Sequence, residues 1–423
     1  MKFTKVFAFM ALAGLAGSAY ATNGYFSHGN GMKAKGMGGA ATASYDDAFG
    51  GANNPASMAF AGNRLDLGVD LFNPNRSASR TGLGPFDMSV DSDSEYFPIP
   101  EFGMTKQMSS TLALGVTVYG NGGMNTDYAG GQINCGQGPA NMLCGQGDLG
   151  VDLIQLIVAP TIAFKVAPNH SIGVSPLLGY QAFEANGLQA FEGMSAAPNS
   201  VTNNGHDDAF GYGVRIGYMG KITPTVTIGA AYASKMSFDE FDDYAGLFAE
   251  QGGFDIPENY NLGVAWQATP VFKLALDYQR ISYSDVNSIA NPSTNMAPLG
   301  ADNGPGFGWQ DIDVWKLGAE YKYSQQLTVR AGWNHGDNPI SSSDVTFNIL
   351  APGVIEDHVT VGFTYTLASG NELTMSYMHG FSNDVSGASI LPVMFSGGMA
   401  PASGNETIEM DQNALGIQYS WKM

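Results

Sequence analysis

The chain alternates apolar and polar residues in segments of about ten, and this period-2 rhythm marks strands with two unlike faces. In "RLDLGVDLF", Leu65, Leu67, Val69 and Leu71 share one face and Asp66, Gly68 and Asp70 the other. In "HVTVGFTYTLA", Val359, Val361, Phe363, Tyr365 and Leu367 repeat the pattern. Fourteen such segments are expected: 63–72, 95–106, 111–120, 150–166, 171–184, 207–220, 225–237, 258–267, 271–283, 311–323, 327–335, 357–367, 372–381 and 408–422. Their connections alternate in length. Tight turns lie at "QMSS", "APNHS", "KITPT", "QATPV", "YSQQ" and "ASGNE". Long loops lie near 73–94, 121–149, 185–206, 238–257, 284–310, 336–356 and 382–407.

Seven long loops against six tight turns predict an all-β fold: a 14-stranded antiparallel transmembrane β-barrel with periplasmic turns and external loops. A soluble β-sandwich would also alternate, but it would carry charge on its outer face and would not explain the long-short rhythm. Tyr119, Tyr180, Tyr218, Tyr232, Tyr283, Tyr323, Trp333 and Trp421 fall near strand ends, as an interfacial girdle requires. Composition agrees. Charged residues are 13% of the chain, about half the usual share, while Gly reaches 56 of 423 residues.

Lys2 and Lys5, the apolar run from Val6 to Ala16 and the Ala19-Tyr20-Ala21 site read as an export leader over residues 1–21. The apolar run is too short to span a bilayer, which takes about 20 residues. Losing the leader takes the formal charge from −20 to −22. That excludes nucleic acid as a partner, because phosphate contacts need clustered Lys and Arg. Cys135 and Cys144, in an exported chain, are expected to form a disulfide.

A barrel of this strand count is too wide for wall side chains alone to fill. Residues 22–61 do not alternate, are rich in Gly and Ala, and precede the barrel proper at 62–423. They are expected to fold into the lumen and plug it. Their last stretch, "GGANNPASMAF", carries no charge that burial would penalise.

Gly36, Gly38, Gly39 and Ala40, then Asp46, Asp47 and Ala48, then Asn54, Pro55 and Ala56 resemble the N-terminal pattern of the FadL-type outer-membrane transporters. The third strand and its loop, "LALGVTVYG…TDY", are also similar. The resemblance implies that the N-terminal segment is a hatch containing Asn54, Pro55 and Ala56. It implies passive uptake of long-chain fatty acids or similar hydrophobic compounds. External loops would catch the ligand, a lumenal pocket would hold it, and a gap in the wall would release it sideways.

By strand phase, Arg215, Lys316 and Arg330 point inward and are candidates to meet a ligand carboxylate. Pairing with inward acids such as Asp66, Asp70, Asp277 or Glu320 is the alternative. Pro98, Pro100, Gly115 and Gly120 are candidate gap residues, since Pro cannot donate to a ladder and Gly weakens it. Pro160 and Pro176 mark further breaks. The resemblance favours a kink in the third strand; the residues favour the second equally. The acidic groups Asp91, Asp93 and Glu95, and Asp239, Glu240, Asp242 and Asp243, read as solvated loop charge or as cation bridges to lipopolysaccharide.

No hydrolase elbow, zinc-protease or phosphate-loop motif occurs, so no enzyme, cofactor or metal is expected. "GQGDLG" precedes a strand instead of following one and is a chance match. The expected partners are a hydrophobic small molecule and outer-membrane lipid with lipopolysaccharide, and the barrel is expected to be monomeric. The rival readings are a lipid hydrolase of the outer membrane and a porin for polar solutes.

Overall fold

The computed structural model describes residues 23–136 and 138–423. The expected leader lies outside the described residues. Fourteen long strands run up and down. They are β1 (Arg64–Thr81), β2 (Phe97–Gln107), β3 (Leu112–Tyr128), β4 (Leu149–Ala167), β5 (His170–Asn186), β6 (Asp207–Lys221) and β7 (Val226–Ala233). There follow β8 (Asn259–Thr269), β9 (Phe272–Ile281), β10 (Ile312–Lys322), β11 (Leu327–Gly336), β12 (Asp357–Thr366), β13 (Glu372–Ser389) and β14 (Ser403–Lys422). Each pairs antiparallel with its successor, and β14 returns to β1 from Arg64↔Lys422 to Thr81↔Asn405. Closure leaves neither the first nor the last strand as an open edge, which a lipid-embedded sheet requires. No helix among the described residues is long and apolar enough to cross a membrane.

The alternation sorts side chains as the sequence predicts. On β1, Asp66, Asp70, Phe72, Arg76 and Arg80 are buried in the lumen, while Leu67, Val69 and Leu71 stand exposed outside. Val359, Val361 and Phe363 do the same on β12. A continuous exposed apolar band is costly in water and suits hydrocarbon. Two aromatics depart from the expected girdle. Tyr119 and Tyr283 are buried inside the barrel, whereas Tyr323, Trp333 and Trp421 face outward.

Four strands outrun their expected spans at the loop end. β1 continues to Thr81, β3 to Tyr128 and β13 to Ser389, and β14 starts at Ser403. Beyond the bilayer both faces of a strand are polar, so "SASRT" and "SNDVSGAS" carry no period-2 signal. A short strand at Met88–Asp91 pairs onto β1 there.

Residues 23–61 lie inside the barrel. Helix α1 (Met32–Lys35) is one turn, and all four residues are buried. Its two lysines reach the wall on either side of β14. Lys33 Nζ lies 2.7 Å from Glu372 on β13. Lys35 Nζ lies 2.8 Å from Asp70 on β1 and 2.5 Å from Glu101 on β2. Backbone donors are held too: the Ala41 and Thr42 N–H groups donate to Asp277 Oδ2, each at 2.8 Å, and Ala48 N–H donates to Asp66 Oδ2 at 2.7 Å. A non-alternating segment can be buried only if its amides find such partners.

Asn54, Pro55 and Ala56 form the base. Asn54 caps the 3₁₀ turn Pro55–Ser57, its Oδ1 accepting from Ala56 N–H at 3.1 Å. Its Nδ2 donates to Thr42 O at 2.8 Å and to Tyr218 O on β6 at 2.9 Å. Pro55 at the first helical position has no N–H to leave unsatisfied. Ser171 on β5 donates to Ala56 O at 2.8 Å. Helix α2 (Met58–Ala61) then leads into β1.

Candidate transport route

The long loops fold over the barrel mouth and pack around a small apolar chamber. Phe183, Phe191, Phe248, Phe307, Phe347 and Leu350 are among its walls, and Ser288 supplies the only polar side chain among the described residues that line it. The rings interlock, with centroids 4.6 Å apart for Phe183 and Phe248 and 5.8 Å for Phe191 and Phe347. Among the described residues no ionisable side chain lines this chamber. Cys135 and Cys144 are joined by a disulfide. Between them Met142 and Leu143 are buried, and Leu143 lines the chamber. Arg80 ties this loop down, donating to Met142 O at 2.7 Å.

Leu350 lines this chamber, and its chain neighbour Ala351 lines a second, smaller one. Phe72, Arg76, Met124, Trp309 and Met410 line it, and Tyr25 of the N-terminal segment is its floor. Tyr25 and Trp309 both pack on Tyr283, at 5.5 and 5.1 Å. The Tyr283 hydroxyl donates to Asn23 O at 2.6 Å and accepts from Tyr25 N–H at 3.2 Å.

The wall beside this chamber is incomplete. Pairing between β2 and β3 stops at Phe102↔Val118, although both strands continue. Above that rung β2 pairs only with β1, while β3 keeps its ladder with β4 and otherwise bridges only to Phe26, at Gly122, and to Ser92, at Tyr128. Residues Thr117–Met124 of β3 are buried one after another, so this stretch has left the wall and turned inward. A bulge at Asn121, between the rungs Gly120↔Leu156 and Gly122↔Gln155, makes the turn. Phe26 bridges to Gly122, and Ser27 N–H donates to Asn121 O at 3.2 Å. A Cβ at Gly122 would collide with Tyr25 O, so only glycine lets the two backbones meet.

Of the gap candidates, Pro98 and Pro100 fall on the part of β2 without a β3 partner, where a missing N–H is tolerated. Gly120 flanks the bulge. Gly115 lies elsewhere: it is regularly paired with Thr105 and Thr161, and its missing side chain makes room for Met58 of α2. The kink is in the third strand, and the second supplies the other lip.

None of the three lumenal cations lines the loop chamber. Arg215 Nη1 donates to Gly51 O at 2.9 Å, to Ala52 O, and to the Tyr119 hydroxyl at 3.1 Å. Lys316 Nζ donates to His28 O at 3.0 Å. Arg330 pairs with Glu320 at 2.7 Å. All three bond the N-terminal segment or a neighbouring strand. The chamber residues went unnoticed in the sequence because loops carry no period. The signal was there in the phenylalanines of "FDEFDDYAGLFAEQGGF", too many for a solvated loop.

Two adjacent carboxyls of the segment are pushed in opposite directions. The Lys273 ammonium, 2.7 Å away, holds Asp46 well below the usual carboxylate range. Burial, then the nearby Asp66 charge, pushes Asp47 up to about 6. A raised folded-state pKa means that stability is fully present below the unfolded value and falls as pH rises through the folded one. Asp47→Asn should therefore flatten the fall in melting temperature between about pH 4 and about 6 and leave the barrel more stable at neutral pH. Thermal unfolding in detergent across that range checks it; an unchanged profile contradicts it.

A closed wall with a lipid-facing band, capped by apolar loops and filled by its own N-terminal segment, is an outer-membrane channel for hydrophobic molecules. The chain matches the outer membrane protein transport protein family (OMPP1/FadL/TodX) over residues 12–390 and belongs to it. The family's members are transport channels, not enzymes. The toluene transporter TodX of P. putida is similar in structure, with a TM-score of 0.69 at 18% identity over 94% of this chain and 99% of that one. A FadL homologue from Pseudomonas aeruginosa gives 0.71 at 15% identity, over 94% and 99%. The Ralstonia pickettii toluene transporter TbuX gives 0.64 at 18% identity, also over 94% and 99%. No curated protein matches the sequence. Among the described residues no group of three His, Cys, Asp or Glu side chains is placed to hold a metal ion.

Proposed function

We propose that the channel takes up uncharged hydrophobic molecules through the loop chamber, passes them to the second chamber and releases them between β2 and β3 into the membrane. The N-terminal segment acts as a hatch that blocks the straight path to the periplasm. The observation carrying this reading is the position of the wall break beside an apolar chamber whose floor is the hatch. Burying alkyl or aryl groups contributes about 0.8 kcal/mol per CH₂, and sideways release into lipid keeps that gain. A porin would need an open aqueous lumen, which residues 23–61 occupy. Monomeric action, with lipopolysaccharide around the loops, completes the reading.

The absence of a cation in the loop chamber favours neutral hydrocarbons over long-chain fatty acids, and the resemblance to toluene transporters accords with that. One observation favours fatty acids as a second reading. Arg76 is buried at the second chamber, with no carboxylate in ion-pair reach among the described residues. Binding of toluene and of palmitate to the purified barrel separates the two. Tighter toluene binding, insensitive to Arg76→Met, is expected. Palmitate binding that drops about tenfold or more in Arg76→Met, a loss of about 1.4 kcal/mol, would favour the fatty acid. Phe248→Asp should weaken binding in either case, because it puts a charge into a wall without a partner.

A further inference from the structure

Eight Lys and Arg side chains are buried among the described residues, and five of them have a carboxylate within ion-pair distance. The exceptions are Arg76, which belongs to the route above, and Arg215 and Lys316. The last two, from β6 and β10, line one small cavity between the hatch and the wall. No Asp or Glu lines it; the carboxamides of Asn121, Asn259, Asn261 and Gln279 do. Arg215 Nε has no hydrogen-bond partner. Lys316 has one acceptor, His28 O, for three donors. Asp277, across the ladder from Lys316, gives its Oδ2 to hatch amides, and its Oδ1 has no hydrogen-bond partner and lies beyond ion-pair distance of Lys316. Gln279 Oε1 is also unpartnered, and turning that carboxamide over presents its NH₂ to the cavity.

Two positive charges stand against the single carboxylate of Asp277, which is out of ion-pair distance, and a buried excess of positive charge is costly unless something neutralises it. The cavity is polar, so an alkyl or aryl group has no wall to lie on. We propose that this cavity binds a compact monovalent anion, of halide or formate size, between Arg215 and Lys316. The bound anion joins β6 to β10 through the hatch carbonyls that both cations hold, so it helps to seat the hatch. The site borders the kink of β3 through Asn121 and Phe26 but shares no lining residue with either apolar chamber, and it does not depend on that reading.

The test uses the full mature barrel in detergent at constant ionic strength. Melting temperature is followed against sodium bromide, chloride, formate and octanoate, with gluconate as the bulky reference, and crystals soaked in bromide are examined for anomalous scattering. The expected result is a saturable rise with bromide, chloride and formate, and a bromide peak between Arg215 and Lys316. Lys316→Gln should raise the half-saturating concentration about tenfold, as loss of a charged hydrogen bond worth about 1.4 kcal/mol predicts. A rise with octanoate alone would assign the cations to a ligand's carboxylate head and overturn the small-anion site. Identical melting in every salt, with no peak in the cavity, would mean that water alone fills it and would overturn it too. Wild type provides both readouts, so a variant that fails to fold leaves the test intact.

Discussion

Deleting Asn121 is expected to seal the wall and cut hydrocarbon uptake about tenfold or more, a rise of about 1.4 kcal/mol in the barrier to crossing. Asn121 is the one residue of β3 without a rung opposite β4. Without it the ladder runs on from Gly120 in phase, the inward turn loses its cause, and β3 is free to pair with the upper half of β2. Asn121→Ala is the control. It keeps the extra residue and loses only the bond from Nδ2 to Gln155 Oε1, 3.1 Å long, so uptake should stay near wild type. Uptake by cells expressing each variant, with melting temperature as the check on folding, decides the matter. A stable deletion variant with normal uptake would remove lateral release from the mechanism.

Lys35→Met should destabilise the barrel by about 3–5 kcal/mol, the usual consequence of removing one partner from a buried ionic cluster. The ammonium sits between Asp70 and Glu101, and all three side chains are almost wholly shielded from solvent. Methionine fills the space and leaves two carboxylates facing each other. Glu101 keeps only the Gly31 N–H, at 3.0 Å, as a donor from the hatch. Adding Asp70→Asn and Glu101→Gln to Lys35→Met should restore much of the loss, because the cost comes from the unpaired charge and not from the missing bonds. Equilibrium unfolding in denaturant measures both. Equal stability of Lys35→Met and wild type would show that the cluster is solvated in the working protein.

The strands were legible because lipid on one side and lumen on the other impose opposite chemistries on alternate residues. Leu67, Val69 and Leu71 announce β1 as plainly in the chain as on the barrel surface. The bulge was not legible. Gly120, Gly122 and Gly123 surround Asn121, and glycine has no side chain to show which face it is on. Lys33 and Lys35 in "MKAKG" look like solvated charges; their carboxylate partners on β1, β2 and β13 are far away in sequence and reveal themselves only when the wall closes. Tyr119 and Tyr283 sit at strand ends, as girdle residues would, but the inward turn of β3 and the loop after β9 take them into the lumen.

The hatch ligatures also set an order of assembly. Lys33 meets Glu372 across 339 residues, and Met32 N–H meets Gln418 Oε1 across 386. Closing such long loops is entropically expensive until other contacts have brought the ends together. The N-terminal segment, made before the wall, therefore finds its last partners when β13 and β14 arrive. Until then its buried lysines need water or a chaperone around them, and the seam between β1 and β14 zips shut over a segment that has waited for the whole wall.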